Sequence, residues 1–311
     1  MRSRLIVSVL VALGVIAVAL SVWSVTTAGQ IARPERTADG HPNLSGIWQV
    51  TSTANWDLLA HGMRPMVGQP GVYADVQVLA PPVVALGEAG IVPPGPGVVE
   101  GNAIPYKPDA AAKKKENAEH WLDRDPELRC YKPGIPRAMY MPQPFQITHG
   151  TDKIQMLFQY AQASRTIHMD QVNPPPADTW MGHSVGHWEG DTLVVASDNF
   201  NDRTWLSRAG DFHSDAMKLV ERFTPITADA LRYEVTVEDA NVFTRPWTMK
   251  MVLYRLLEDN AQLMDFKCVE LVEETFLGHL RKNQLVKRWD GDTMTVDITR
   301  KIPPVDKLYE R

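Results

Sequence analysis

Residues 231–238 read LRYEVTVE, an unbroken alternation that sets Leu231, Tyr233, Val235 and Val237 on one side and Arg232, Glu234, Thr236 and Glu238 on the other. A period of two marks a strand with one buried and one wet face. Upstream, Ile154, Met156, Phe158 and Tyr160 alternate with Lys153, Gln155, Leu157 and Gln159, and Arg165, Ile167 and Met169 follow. Downstream, Trp247, Met249, Met251 and Leu253 continue the pattern. Connections such as Asp239-Ala240-Asn241 are hairpin-sized, so strands adjacent in sequence should be antiparallel neighbours in space. A meander of about eight or more strands protects its edges most easily by closing.

The first strand is expected at Ser45 to Val50, and its Gly46-x-Trp48 resembles the opening of lipocalin-like barrels. The predicted fold is therefore mainly β, an antiparallel meander closing into a lipocalin-like barrel with one or two peripheral helices. Asp109 can cap one helix, running through AAAKKKENAEHWL and stopped by Asp125-Pro126. A second is suggested by the apolar stripe Val269, Val272, Phe276, Leu277 and Leu280. Trp188-Glu189-Gly190-Asp191-Thr192 is echoed by Trp289-Asp290-Gly291-Asp292-Thr293. Both read as hairpins with a three-residue connection and a bulge, which makes Glu189 and Asp191 turn residues rather than catalytic acids.

Residues 1–28 read as an export signal: Arg2 and Arg4, an apolar run from Leu5 to Val22, and small residues at Thr26-Thr27-Ala28. The apolar run approaches bilayer-spanning length, so an uncleaved inner-membrane anchor is the alternative to a periplasmic or secreted protein. Residues 29–44 read as a linker, and 45–311 as a single barrel-like domain with a loop-rich wrapping segment over 55–128. The net charge of −5, with Lys113-Lys114-Lys115 as the one basic run, argues against nucleic acid as a partner. That run reads as a solvated helix face. Cys130 and Cys268 both lie in the exported part, where they could form a disulfide or leave one thiol as a nucleophile.

Potential chemistry is concentrated in Trp180 to Asp215, WMGHSVGHWEGDTLVVASDNFNDRTWLSRAGDFHSD. Gly182-His183-Ser184-Val185-Gly186 matches the G-x-S-x-G pattern of serine hydrolases, with Asp202 and His213 following in order. The elbow needs a buried strand before the serine and a helix after it. Here the proline run Pro174-Pro175-Pro176 precedes it and a hairpin follows. His183 and His187 have a helical metal spacing, but on a strand they would stand about 13 Å apart. Zinc held by His183, His213 and a distant acid is a lesser alternative, alongside the serine hydrolase. The leading arrangement has no metal and no cofactor. Glu221 lies among Met217, Leu219 and Phe223, where desolvation would raise its pKa and suit it to proton transfer, with a buried salt bridge across the sheet, to a neighbour of Arg222, as the alternative. His183 would share that work, Asp202 would orient His213, and Arg137, on the constrained path CYKPGIPRAMYMPQPF, would hold an anionic group. Tyr140, Trp180, Trp205 and Trp247 are candidate substrate contacts, with core packing as the alternative for the tryptophans.

Taken together, DPELRCYKPGIPR, WMGHSVGHWEGDTLVV, NFNDRTWLSRAGDFHSD, VERF, FTRPW and FKCVELVEE resemble a widespread, mostly hypothetical family of exported bacterial proteins with a lipocalin-like β-rich core. The resemblance spans Ser45 to Lys282. It implies export and fold, and supplies no catalytic mechanism. The place of His187 is often taken there by a basic residue, which implies His183 as the better candidate. The expected activity is cofactor-independent acid/base chemistry of lyase, isomerase or decarboxylase type on a small apolar or aromatic molecule. The alternative is a carrier or sensor that binds such a molecule without changing it.

Overall fold

The computed structural model describes residues 33–65, 68–70, 77–79, 91–268, 287–289 and 294–296. Strand β1 (Gly46–Val50) is followed by the short β2 (Arg64–Pro65), β3 (Gly68–Pro70), β4 (Gln77–Leu79) and β5 (Ile91–Val92). Of these, β2 pairs with β5 and β3 with β4. Helix α1 (Pro108–Glu119) and the single turn α2 (Trp121–Arg124) come next. The alternating segments then form β6 (Phe145–His149), β7 (Lys153–Phe158), β8 (Ser164–His168), β9 (His183–Glu189), β10 (Thr192–Asp198), β11 (Lys218–Thr227), β12 (Ala230–Glu238) and β13 (Trp247–Arg255). With β1 they make a closed barrel in the order β1-β13-β12-β11-β10-β9-β8-β7-β6, as the alternation predicts.

Register carries the inward side chains into layers. Val195, Glu221, Val235 and Met249 are paired across β10 to β13, and so are Leu193, Phe223, Tyr233 and Met251. With Phe145, Met156, Ile167 and Leu253 the apolar members of these layers belong to one buried cluster, and Glu221 is buried among them, so the lumen is a packed core. Trp48 plugs this core with no exposure, donating from Nε1 to the Leu44 carbonyl at 2.9 Å. Arg255 lies 4.4 Å over its ring and donates to the carbonyls of Ser45 and Ala228. A Cβ on Gly46 would stand 2.0 Å from Arg255 Nη1, which gives the Gly-x-Trp spacing its physical reason.

The structure departs from the sequence reading in several details. One barrel pair, β8 with β9, is parallel, and the other pairs are antiparallel. Glu189 pairs directly with Thr192, leaving a two-residue turn, Gly190-Asp191, in which Gly190 takes a positive φ of 60°. In the echo, β14 (Lys287–Trp289) pairs antiparallel with β15 (Met294–Val296), and its turn lies outside the described residues. Asp109 is not a cap: α1 begins after Lys107 with Pro108 at its first position, where a missing N–H costs nothing. Asp125 instead caps the next turn, accepting from the Glu127 N–H at 2.9 Å. Lys114 and Lys113 turn to the body of the protein, with Nζ 3.5 Å from Asp211 and 4.4 Å over the Phe212 ring respectively. Residues 33–44, expected as a linker, lie against the barrel: Arg36 pairs with Asp191 at 2.9 Å and His41 stacks on Trp188 at 4.7 Å.

Cys130 and Cys268 form a disulfide across a sequence separation of 138. It ties the chain after β13 to the 3-10 turn Pro126–Arg129, and Phe266 packs on Tyr160 beside it. Closing so long a loop restricts the unfolded chain. Replacing both cysteines by alanine is expected to lower stability by about 2–4 kcal/mol, read from urea denaturation of the full chain. An unchanged midpoint would show that the unfolded chain is already held together by other means. The apolar stripe from Val269 to Leu280 and the expected export segment both lie outside the described residues. Among those described, no helix is long and apolar enough to cross a membrane.

Candidate functional site

The parallel pair is short. Only Ile167 with Ser184 and His168 with Val185 are in register, and toward Ser164 and Met181 the two strands run unpaired. A crossover through Asp170 to Gly182 joins them, and its proline run, Pro174 to Pro176, has no N–H to extend a ladder. Gly182 turns the chain into β9 at a φ of +70°, with Phe200 so close that a Cβ would stand 2.4 Å from its ring. Between crossover and strands lies a cavity of about 440 Å³, within the usual range for small-molecule sites. Lys132, Arg165, His168, Trp180, His183 and Ser184 line it.

The floor of this cavity continues into the lumen. Arg165 and Glu221, both almost fully buried, form a bidentate pair, with Nη1 donating to Oε1 at 3.0 Å and Nη2 bonding Oε2. Arg165 also donates from Nε to Ser184 Oγ at 2.9 Å and from Nη2 to Ser197 Oγ at 2.9 Å. Tyr233 donates its hydroxyl to Glu221 Oε1 at 2.9 Å. Burial, and then the Glu221 charge, push the Tyr233 hydroxyl well above its ordinary pKa, so it stays a donor. Glu221 is therefore not a lone carboxyl among apolar side chains. Its partner, Arg165, is the residue that the reading of single strands missed.

His183 stands in the cavity wall. Its Nδ1 is 3.9 Å from Asp198 Oδ1, too far for a hydrogen bond, and its ring centroid is 5.7 Å from that of His168. Its Nε2 is buried with no hydrogen-bond partner among the described residues. Trp180 lines the same cavity and packs on Tyr131 at 4.9 Å. Of the nine residues singled out from sequence, His183 and Trp180 are the two that line it.

The others lie elsewhere. His213 is buried, and its Nδ1 donates to the Ser214 carbonyl at 2.8 Å. That leaves Nε2 to accept from the Thr204 hydroxyl at 2.6 Å. Burial lowers its pKa, which suits a neutral structural imidazole. Asp202 is exposed and does not bond His213, so the expected orienting pair is absent. Arg137 is fully engaged: Nε donates to Asn55 at 2.8 Å, the guanidinium grips Asp125 at 2.8 and 2.9 Å, and Nη2 reaches Glu127 at 2.5 Å. Tyr140 is buried and donates to the Leu206 carbonyl at 2.8 Å. Trp205 and Trp247 are core residues, Trp247 meeting Phe243 edge-on at 5.3 Å.

Ser184 sits inside β9 and bonds Arg165 and Ser197, so the strand-turn-helix elbow of a serine hydrolase is not present. His187 is exposed beside Glu189 at 3.3 Å. Among the described residues, no three or more His, Cys, Asp or Glu side chains are grouped to hold a metal ion. No protein-family model and no curated protein matches this chain.

Proposed function

We propose that the protein is an exported small-molecule-binding barrel whose site is the cavity at the β8–β9 seam. The observation that carries this reading is the convergence of Lys132, Arg165, His168 and His183 with the apolar face of Trp180 on one cavity. Concave sites that join apolar walls to a few placed polar groups are where small ligands bind. A carrier or sensor needs nothing more. The disulfide suits an oxidising compartment and supports export.

Proton transfer is the second reading, favoured by one observation. His183 lines the cavity, and its Nε2 is shielded and has no hydrogen-bond partner among the described residues, so a turn of the ring would present it to a bound molecule as donor or acceptor. The lyase, isomerase or decarboxylase activity would then rest on His183 alone, because His213, Asp202 and Arg137 do not meet it.

One screen separates the two. Small aromatic and aliphatic molecules are tested by ligand-observed NMR against the parent, Trp180→Ala and His183→Ala proteins, and each hit is incubated and analysed by mass spectrometry. Binding should weaken about tenfold in Trp180→Ala, as expected when an aromatic wall is removed. A ligand recovered unchanged supports the carrier. A ligand consumed by the parent and spared by His183→Ala establishes the enzyme, and hits indifferent to Trp180→Ala remove the cavity from consideration.

A further inference from the structure

We infer that the seam cavity takes an organic carboxylate with an apolar or aromatic body, a class that rests on the binding reading above. The lining contains Lys132, Arg165, His168 and His183 and, among the described residues, no acidic side chain. In a chain with 37 Asp and Glu against 32 Lys and Arg, that is a local inversion of charge.

The four basic groups are not equivalent. Arg165 is already answered by Glu221 and the two serines, so it anchors the floor. Lys132 is exposed and has no ion-pair or hydrogen-bond partner among the described residues. His168 likewise makes no hydrogen bond through its ring among them, and His183 keeps Nε2 unpaired. Imidazoles donate an N–H in either protonation state, so a lysine and two imidazole rings that can donate line one small volume, the His183 Nε2 shielded until its ring turns. Among the described residues, the acid within 4 Å of His183 is Asp198, half-exposed, outside the lining and 3.9 Å away. It does not fill the donor set.

The rest of the lining is mixed: Trp180, Met181, Pro175 and the exposed Val172 give it an apolar part, beside the neutral polar Ser164, Thr166, Asn173 and Thr179. An inorganic anion would leave the four apolar side chains against water, whereas a carboxylate on an apolar body uses them as well as the basic groups. Hydrogen bonds to a charged acceptor are about twice as strong as neutral ones, so the charge should dominate selectivity.

The test uses three probes of one shape, 3-phenylpropanoate, its primary amide and 3-phenylpropylamine, with inorganic phosphate as a fourth. Affinities are measured by calorimetric titration against the disulfide-bonded protein, Lys132→Met, His168→Gln and Trp180→Ala. Lys132 is exposed, so its replacement should leave the thermal midpoint unchanged. The carboxylate should bind at least about tenfold more tightly than the amide, and Lys132→Met should remove about fivefold to tenfold of that preference while leaving amide binding alone. Amide or amine binding as tight as carboxylate binding, lost in Trp180→Ala, would overturn the carboxylate class and keep the cavity. Phosphate binding as tightly as the carboxylate would overturn the apolar half. No binding by any probe would sink both the class and the cavity.

Discussion

Arg165→Met should destabilise the protein by about 3–5 kcal/mol, the range found when one partner of a buried ion pair is removed. The side chains of Arg165 and Glu221 are 1% and 0% exposed, so the Glu221 carboxylate would be left in the core with only the Tyr233 hydroxyl, at 2.9 Å, and the distant Ser197 hydroxyl, at 3.5 Å. Removing both charges should cost far less than removing one, because the desolvation penalty goes with them. Arg165→Met with Glu221→Leu is therefore expected to recover most of the loss. The hydroxyls of Ser184, Ser197 and Tyr233 would still lack their charged partner, and Tyr233→Phe on that background should help further. Guanidinium denaturation of the parent, single and double variants reads all of this. A single-variant loss under about 1 kcal/mol would show that water reaches the pair through the cavity floor.

The second large effect is acid-dependent and centres on Glu127. Burial alone would push its carboxyl up, but the Arg208 and Arg137 charges, with hydrogen bonds from Arg208 and Asn55, bring it down from an ordinary 4.5 to about 2. Arg208 donates to both its oxygens at 2.9 Å while lying over Trp56 at 4.4 Å, and Arg137 reaches it from the other side at 2.5 Å. Because the folded pKa is depressed, the unfolded chain takes up the proton first. The stabilisation is fully present above about pH 4.5 and is lost as the pH falls toward about 2. At about 1.4 kcal/mol per pKa unit, the contribution is on the order of 3 kcal/mol. Arg208→Met should accordingly cost about 2–3 kcal/mol at pH 7 and little at pH 2, measured as the difference in urea midpoint between variant and parent at each pH. An equal cost at both values would assign Arg208 to packing on Trp56 and Trp121 instead.

What could be read from the chain, and what could not, follows from the range of each signal. The two-residue period of β7, β11, β12 and β13 is local, and it led directly to the barrel. The insertion of β1 between β13 and β6 joins Trp48 to both Arg255 and Phe145, contacts that no short window contains. The same limit applies to the site. Alternation placed Glu221 inward with Leu219 and Phe223, and the same count along β8 puts Arg165 inward with Ile167. Read together, two opposite charges facing one core imply a pair, but 56 residues separate them. Lys132 and His168 are beyond this kind of inference. Lys132 lies in a segment without period and His168 has the parity of an outward residue, so it takes the parallel register of β8 with β9 to set His168 beside His183, and the wider fold to bring Lys132 to them.

Nine strands is an odd number. Walking once around a closed ring, each antiparallel neighbour reverses the chain direction, and the walk must return to the direction it started with. Eight reversals do so, and nine cannot. A ring of nine therefore carries at least one junction between like-directed strands wherever its sequence puts it, and here that junction is β8 with β9. Like-directed neighbours need a long return path, where a hairpin needs two residues. The opening at the seam is in that sense a matter of counting, and a chain keeping nine strands could move it around the ring but not remove it.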